Sequence, residues 1–261
     1  MLSTRWYKVL VDLWKNRVRT LIVALAIAVG VYAIGVVLNI GELVVREYRG
    51  DQDGALVASA VIRTMPFDDD LAQRVSEIPG VAAAEGRQVV RSRFYGEDST
   101  SQNLDLVAVP DFASMDVDTI TPLAGKWPPG KREVILERLA LEYLGVEIGD
   151  TITVELDDGV EKQLAVVGVA HNPQELSPDI LNGTSGYVTL ETMGALGLPE
   201  TYTELRIRVA EHPRDKAQIN AVADAVEDHL ESTGRTVFAR NVITESHADP
   251  FIRSARSPAP V

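Results

Sequence analysis

No cysteine occurs in the chain, which excludes a disulfide framework, a thiolate metal site and a cysteine nucleophile. Basic residues are few as well: 25 Lys and Arg stand against 38 Asp and Glu, a net charge of −13. That balance argues against a nucleic-acid partner, which requires basic patches. No G-x-x-x-x-G-K-[ST] motif is present, since Gly125-Lys126 runs into Trp127 and Gly130-Lys131 into Arg132. The chain therefore lacks the phosphate cradle of a nucleotide-triphosphate site. There is no G-x-S-x-G and no H-E-x-x-H, and His171, His212, His229 and His247 are scattered over separate stretches. These absences favour a chain that is not an enzyme, with no catalytic, cofactor-binding or metal-binding residues and no cofactor. A Ser/His/Asp site assembled in three dimensions needs no adjacency in sequence and stays open. Long apolar runs are also scarce, with a single exception.

That exception is Thr20 to Ile40, an uncharged run of 21 residues between Arg19 and Glu42. As a helix it would extend roughly 31 Å, the thickness of a bilayer's hydrocarbon core. A cleavable signal peptide is the competing reading, but its apolar stretch is typically about 7–15 residues, closed by a small-residue site. No clear A-x-A site follows Ile40, so the length favours a retained anchor. Residues 1–20 carry a net charge of +4 and residues 51–261 a net of −17. Basic flanks stay inside, so the N-terminus is expected in the cytoplasm and the acidic part outside the membrane.

The segment ahead of the run is amphipathic. On a helical wheel Trp6, Val9, Leu10, Leu13, Trp14 and Val18 share one face, and Arg5, Lys8, Asp12, Lys15, Asn16 and Arg19 the other. Arg17 falls in the apolar arc, where its stem can snorkel to the headgroups. A basic amphipathic helix lying in the cytoplasmic interface fits this pattern, beside the plainer reading of an unstructured positive flank. Ala26 and Gly30 form a small-xxx-small pair within the run.

The remaining chain is long enough for its own core. Residues 55–63 have strand character, and Asp68-Asp69-Asp70 precede a helix with Leu71, Val75 and Ile78 on one stripe, stopped by Pro79-Gly80. The Asp triplet is read as helix capping in preference to a metal site. Strands follow at 82–95 and 103–109. Late in the chain the order recurs: a strand at 204–209, a helix over 215–231 with Ile219, Val222, Ala223, Val226 and Leu230 on one stripe, and a strand from Thr236. These two units should share one sheet with both helices on one face.

Residues 119–197 differ. EVILERLALEYLG reads as a strand entering a helix that ends at Gly145, and TITVEL and KQLAVVGVA form a hairpin about Asp157-Asp158-Gly159. A Pro/Asn/Gly-rich loop over 172–186 leads to a strand at Tyr187 to Leu190. His171-Asn172-Pro173-Gln174-Glu175 reads as a turn with a solvated histidine. Trp127 with Pro128-Pro129 reads as a packed loop anchor before a partner-binding ridge.

Taken in order, the basic lead, the single span, Gly125-Lys126-Trp127-Pro128, Glu133-Val134-Ile135-Leu136-Glu137, Ala140, Leu144-Gly145, Ile148-Gly149-Asp150-Thr151-Ile152 and Val166-Val167-Gly168-Val169 resemble MacB/FtsX-type ABC transporter permeases. The resemblance covers roughly residues 1–245. It implies an α+β fold: one N-terminal transmembrane helix and a MacB-like extracytoplasmic domain, a porter-like strand–helix–strand layer carrying a β-rich sabre-like insertion. The expected organisation is a cytoplasmic amphipathic helix over 1–19 and a transmembrane helix over 20–41. The porter-like subdomain follows over 51–118, the sabre-like insertion over 119–200, the second part of the porter-like subdomain over 201–245 and a disordered tail over 246–261.

The resemblance also implies a role. Such permeases dimerise, bind a cytoplasmic ABC ATPase and couple it to the extracytoplasmic domain for export or extraction of lipoproteins, peptides or drugs. The expected partners are that ATPase subunit, a second permease copy or chain supplying further spans, and the lipid bilayer of the cytoplasmic membrane. The family continues into three more spans, whereas His247 to Ile252 is followed here by RSARSPAPV. A truncated or split permease is therefore expected. The alternative is a membrane-anchored extracytoplasmic binding or adaptor module with no transport of its own.

Overall fold

The computed structural model describes residues 22, 25–30, 32, 56–96, 101–175, 177–178 and 182–243. The expected amphipathic helix over 1–19, most of the expected span and the tail over 246–261 lie outside the described residues. Those described between 22 and 32 are helical and exposed, and a Cβ at Gly30 would meet nothing within 4 Å. Among the described residues no helix is long and apolar enough to cross a membrane. The chain divides into two compact units, Met1–Gly50 with Ile252–Val261, and Asp51–Phe251. The second contains the fold that follows.

Its first half is a β–α–β unit: β1 (Ala60–Phe67), α1 (Asp69–Ser76) and β2 (Val81–Tyr95). A second such unit closes the domain, with β9 (Tyr202–Val209), α4 (Lys216–Ser232) and β10 (Val237–Val242). The four strands pair antiparallel in the order β10-β1-β9-β2, the split β-α-β arrangement. Leu71, Ala72 and Val75 of α1 join Ile219, Val222, Ala223, Val226 and Leu230 of α4 in one buried cluster with Ala60, Ile62, Leu205 and Ile207. Both helices thus cover one face, because the 3.6-residue stripe of each meets the alternate residues of the strands. Asp215 caps α4 by accepting from the Ala217 amide at 2.8 Å. Asp68 holds the corresponding position of α1 without a side-chain capping bond, while Asp69 and Asp70 sit in the first turn.

Strand β1 begins five residues later than the Val/Ala-rich sequence suggests. Residues 56–58 are diverted by Asp118, whose amide donates to the Leu56 carbonyl at 2.7 Å and whose carboxylate accepts from the Ala58 amide at 2.8 Å. Local composition favours a strand there; a side chain 60 residues away prevails.

Between β2 and β9 lie β3 (Ser101–Val109), β4 (Thr121–Gly125), β5 (Glu133–Glu137), α2 (Ala140–Leu144), β6 (Thr151–Leu156), β7 (Glu161–His171), β8 (Thr184–Thr189) and α3 (Leu190–Ala195). Hydrogen bonding runs β2-β3-β8-β5-β7-β6 and returns from β6 to β2 through Ser92↔Leu156 and Phe94↔Val154. The strands therefore close a ring, which removes their exposed edges. Its core includes Phe94, Leu104, Leu106, Val134, Leu136, Val154 and Leu164, with Ala140 and Leu144 of α2 and Met193 of α3. Gly145 ends α2 in the left-handed region at φ 69°. Neither α3 nor β4 is legible as an element in the sequence pattern. The ring takes in β3 and the second half of β2, residues that the sequence reading assigns to the first part of the porter-like layer.

Strand β2 serves both sheets. Up to Arg87 it pairs with β9, and from Gln88 onward with β3. At the changeover sits Gly86, where a Cβ would lie 2.4 Å from ring carbons of the fully buried Tyr202. Gly86→Ala should destabilise the domain by about 1–3 kcal/mol or more, the usual range for overpacking. A urea unfolding midpoint unchanged from the parent would contradict this account of the crossing.

Candidate functional site: a charged clamp on the open face

The sheet face opposite α1 and α4 is charged. Register places Arg63, Glu204 and Arg87 side by side across β1, β9 and β2, and Val61, Arg206 and Glu85 in the next row. Cations and anions alternate along and across the strands, an arrangement that favours each cross-strand pair. Arg63 reaches Glu204 with Nε at 3.0 Å and Nη2 at 2.9 Å. Arg206 donates Nη2 to Glu204 at 3.1 Å, and Arg87 Nη1 lies 2.6 Å from Glu85.

This face is not left to solvent. The connection between β3 and β4 folds across it, anchored on the ring by Phe112 and Ile120. Glu85 accepts from the amides of Asp116 and Val117, and Arg87 donates Nη2 to the Val117 carbonyl at 3.0 Å. Arg208 Nε donates to the Asp116 carbonyl at 3.3 Å. Asp118 completes the seat. One of its oxygens accepts from Arg206 Nη1 at 2.8 Å, the other from the Ala58 amide. Its backbone is left-handed at φ 51°, which aspartate tolerates better than most residues.

The Asp118 and Arg206 side chains are 6% and 20% exposed, so their charges must be matched locally. Burial works against the Arg206 guanidinium, but Asp118 and Glu204 outweigh it and raise its pKa above the ordinary value. Arg87 goes the other way: burial lowers it, and Glu85 only partly compensates. The chemistry is that of a clamp rather than an active site. It joins the chain's entry into the domain at 56–58, the four-stranded sheet and the ring.

A second polar group lies on the outer face of the ring. Glu137, at the end of β5, is 2% exposed and accepts from the Asn172 amide at 2.8 Å. Its other oxygen lies 3.2 Å from His171 Nδ1. Burial raises the Glu137 carboxyl, with Asn172 and His171 opposing. Nearby Glu175 accepts from the Ser185 hydroxyl at 2.8 Å. Burial pushes the Glu175 carboxyl up to about 7; Ser185 counteracts this, while Glu137 and Asp105 add to it.

The residues singled out in the sequence fall in different places. The turn after β7 forms, but His171 is half-buried against Glu137 rather than solvated as expected, because β7 runs one residue further and carries it onto the ring. His212 lies in the turn before α4 and His229 within α4; His247 is outside the described residues. Trp127 is a packed anchor: its indole donates to the Phe112 carbonyl at 3.1 Å and its ring meets Phe112 edge-on. Among the described residues no group of three or more His, Asp or Glu is arranged to hold a metal ion. Glu85, Arg87, Asp118, Glu137, Glu204 and Arg206 carry no motif. Only the alternation ELRIRV, read for its charged half, signals that a strand hides charges.

Asp118→Ala would leave Arg206 buried with one anion fewer and the Ala58 amide without its acceptor. A loss of about 3–5 kcal/mol is expected, the cost of breaking a buried pair from one side. The double variant with Arg206→Met should recover part of it in a thermodynamic cycle. Simple additivity of the two losses in urea titrations would show that the pair is not coupled.

Comparison with known proteins follows the same line. Residues 20–229 match the MacB-like periplasmic core domain family. No curated protein matches the chain. Among solved structures it is similar to the extracellular domain of the noncanonic ABC-type transporter YknZ from Gram-positive bacteria. Identity is 15%, coverage 69% of this chain and 100% of that one, and the TM-score 0.45. The periplasmic region of MacB from Actinobacillus actinomycetemcomitans is 10% identical, covering 77% of this chain and 94% of that one at a TM-score of 0.44. A domain of a putative permease protein from Porphyromonas gingivalis is 12% identical, with 74% and 94% covered and a TM-score of 0.40. With well over half of its length inside the family match, this chain belongs to the MacB-like periplasmic core domain family of ABC transporter permeases.

Proposed function

We propose that the chain acts as a membrane-embedded permease subunit that couples a cytoplasmic ABC ATPase to an extracytoplasmic domain, for export or extraction of lipoproteins, peptides or drugs. The observation that carries this reading is where the chain enters and leaves the domain. Ala60 pairs with Val242, the Ile243 amide donates to the Ser59 carbonyl at 2.8 Å, and Ala58 clusters with Ile243. Entry and exit lie side by side, as required when both connect to one membrane surface. The clamp at Asp118 then ties the entry segment to the ring, so a displacement of residues 56–58 is passed on rather than absorbed. Rigid-body transmission of this kind suits a domain driven from the other side of a bilayer.

The uncharged run from Thr20 to Ile40 supplies the span in this reading, and the +4 flank against the −17 remainder sets its orientation. The partners are the ATPase, a second permease chain and the bilayer. This chain contributes no catalytic step; hydrolysis belongs to the ATPase.

Two measurements test the reading. In detergent extracts of native membranes the full chain should co-purify with an ATPase subunit, and recovery as a monomer without one would favour a freestanding anchored module. The lack of cysteine allows single-site labelling without background. A membrane-impermeant maleimide should modify Asp157→Cys and spare Lys15→Cys in intact cells. The reverse pattern would invert the topology.

A further inference from the structure

The loop ahead of β8 ends on Asn182-Gly183, the single Asn-Gly pair of the chain. The fold calls for both residues. Asn182 has a left-handed backbone at φ 53°, a conformation that asparagine adopts more readily than most residues. Gly183 lies against β3, where a Cβ would meet the Asn103 Cβ at 3.0 Å and the Asn103 carbonyl oxygen at 3.2 Å. Glycine is the residue that fits there without moving β3. From Thr184 onward the chain is in β8, where Thr184 pairs with Leu104.

The same pair carries a reaction. Asn182 is exposed, and the hydrogen bond that holds it runs through its backbone, whose carbonyl accepts from Asn103 Nδ2 at 2.8 Å. The Gly183 amide donates to the Pro178 carbonyl at 3.3 Å, long for a bond of this kind. Glycine also places no side chain beside that nitrogen. An unhindered, weakly held amide therefore stands next to an exposed side-chain amide.

We propose that Asn182 is a site of spontaneous modification, converted in the folded domain to aspartyl and isoaspartyl forms through a succinimide. The Gly183 nitrogen gives its proton to hydroxide and attacks Asn182 Cγ. The new N–Cγ bond forms, the Cγ–Nδ2 bond breaks, and the side-chain nitrogen leaves as ammonia with a proton from water. Water then opens the ring: breaking N–Cγ yields aspartate, and breaking the original peptide bond yields isoaspartate. Both products add a negative charge, and the isoaspartyl one lengthens the backbone by one carbon just ahead of β8.

The other asparagines lack this combination. Asn172 precedes Pro173, whose nitrogen carries no hydrogen. Asn103, Asn220 and Asn241 lie within β3, α4 and β10, and each is followed by a residue with a side chain. The inference stands on the turn before β8 and not on transport.

Peptide mapping of the full chain, purified in detergent and kept folded at neutral and at alkaline pH, tests this. The peptide containing Asn182 should gain the mass of an amide-to-acid exchange before any other asparagine peptide. It should do so faster at alkaline pH, because the attacking nitrogen reacts deprotonated. An endoproteinase that cuts before aspartate should cleave one product and spare the isoaspartyl one. Asn182→Gln, which would have to close a six-membered ring, should lose the signal. If that variant does not fold, the order of conversion and its pH dependence in the parent still decide. Earlier conversion of another asparagine, a rate independent of pH, or conversion of Asn182 only in the urea-unfolded chain would overturn the proposal. Loss of ATPase co-purification would leave these results untouched, so the two readings fail separately.

Discussion

A sheet with helices on one side has a second face to dispose of, and here that face carries alternating arginine and glutamate. Buried charge is tolerated only where each group finds its opposite and its hydrogen bonds. The segment over residues 115–118 meets this demand with backbone amides for Glu85, carbonyls for Arg87 and Arg208, and the Asp118 carboxylate for Arg206. Everything attached to that segment inherits its position. On one side Asp118 holds the entry at Leu56 and Ala58; on the other, Phe112 and Ile120 lie in the cluster on the ring's outer face. An apolar lid would have covered the face with less specificity. The charged one favours the register that sets Asp118 on Arg206 and the 116–117 amides on Glu85.

The ring solves a different problem. Six strands are inserted between β2 and β9, and return of β6 to β2 closes five of them with β2 into a ring, leaving β4 paired through β7 alone. Closure also turns the outer face of β3, β5 and β8 towards the connections, where Glu137, Ser185 and Glu175 meet. The polar cluster is thus a by-product of topology. Its residues come from strands and a turn that have no local reason to be together.

This explains what could be read in the sequence. Both amphipathic helices, the hairpin about Asp157-Asp158-Gly159 and the Gly145 stop depend on spacing within a few residues, and all are found. The two strand–helix units on one sheet followed from the same patterns. Ring closure was not legible, since Ser92↔Leu156 joins residues far apart without a turn signal. Strand β4 was missed because Pro122 and its exposed neighbours lack any alternation of burial. Asp118 was invisible for a sharper reason: an Asp in a loop that also carries Asp111 and Asp116 is ordinarily solvated, and only the fold brings Arg206 to it. The histidine at 171 failed in the same way, as a turn residue drawn half under cover by Glu137.

The position of the clamp also decides how the domain can move. Two covalent paths join the four-stranded sheet to the ring: strand β2, and the stretch from α3 into β9. Two connections alone would leave the sheet and the ring free to bend where β2 crosses between them. Bending there, at residues 86–88, would have to displace the Tyr202 ring packed on Gly86 and the Arg87 side chain, which is 1% exposed. The segment over 115–118 sits on the face of the sheet, off that crossing. Any such bend would therefore draw Asp118 away from Arg206 or drive it into the sheet. A third attachment off the line of the first two removes the hinge, and the cost of restoring it is the cost of separating a buried ion pair. Stiffness here is an electrostatic property, set by the bonds of residues 116–118 to Glu85, Arg87, Arg206 and Arg208, rather than a property of the strand that crosses the junction.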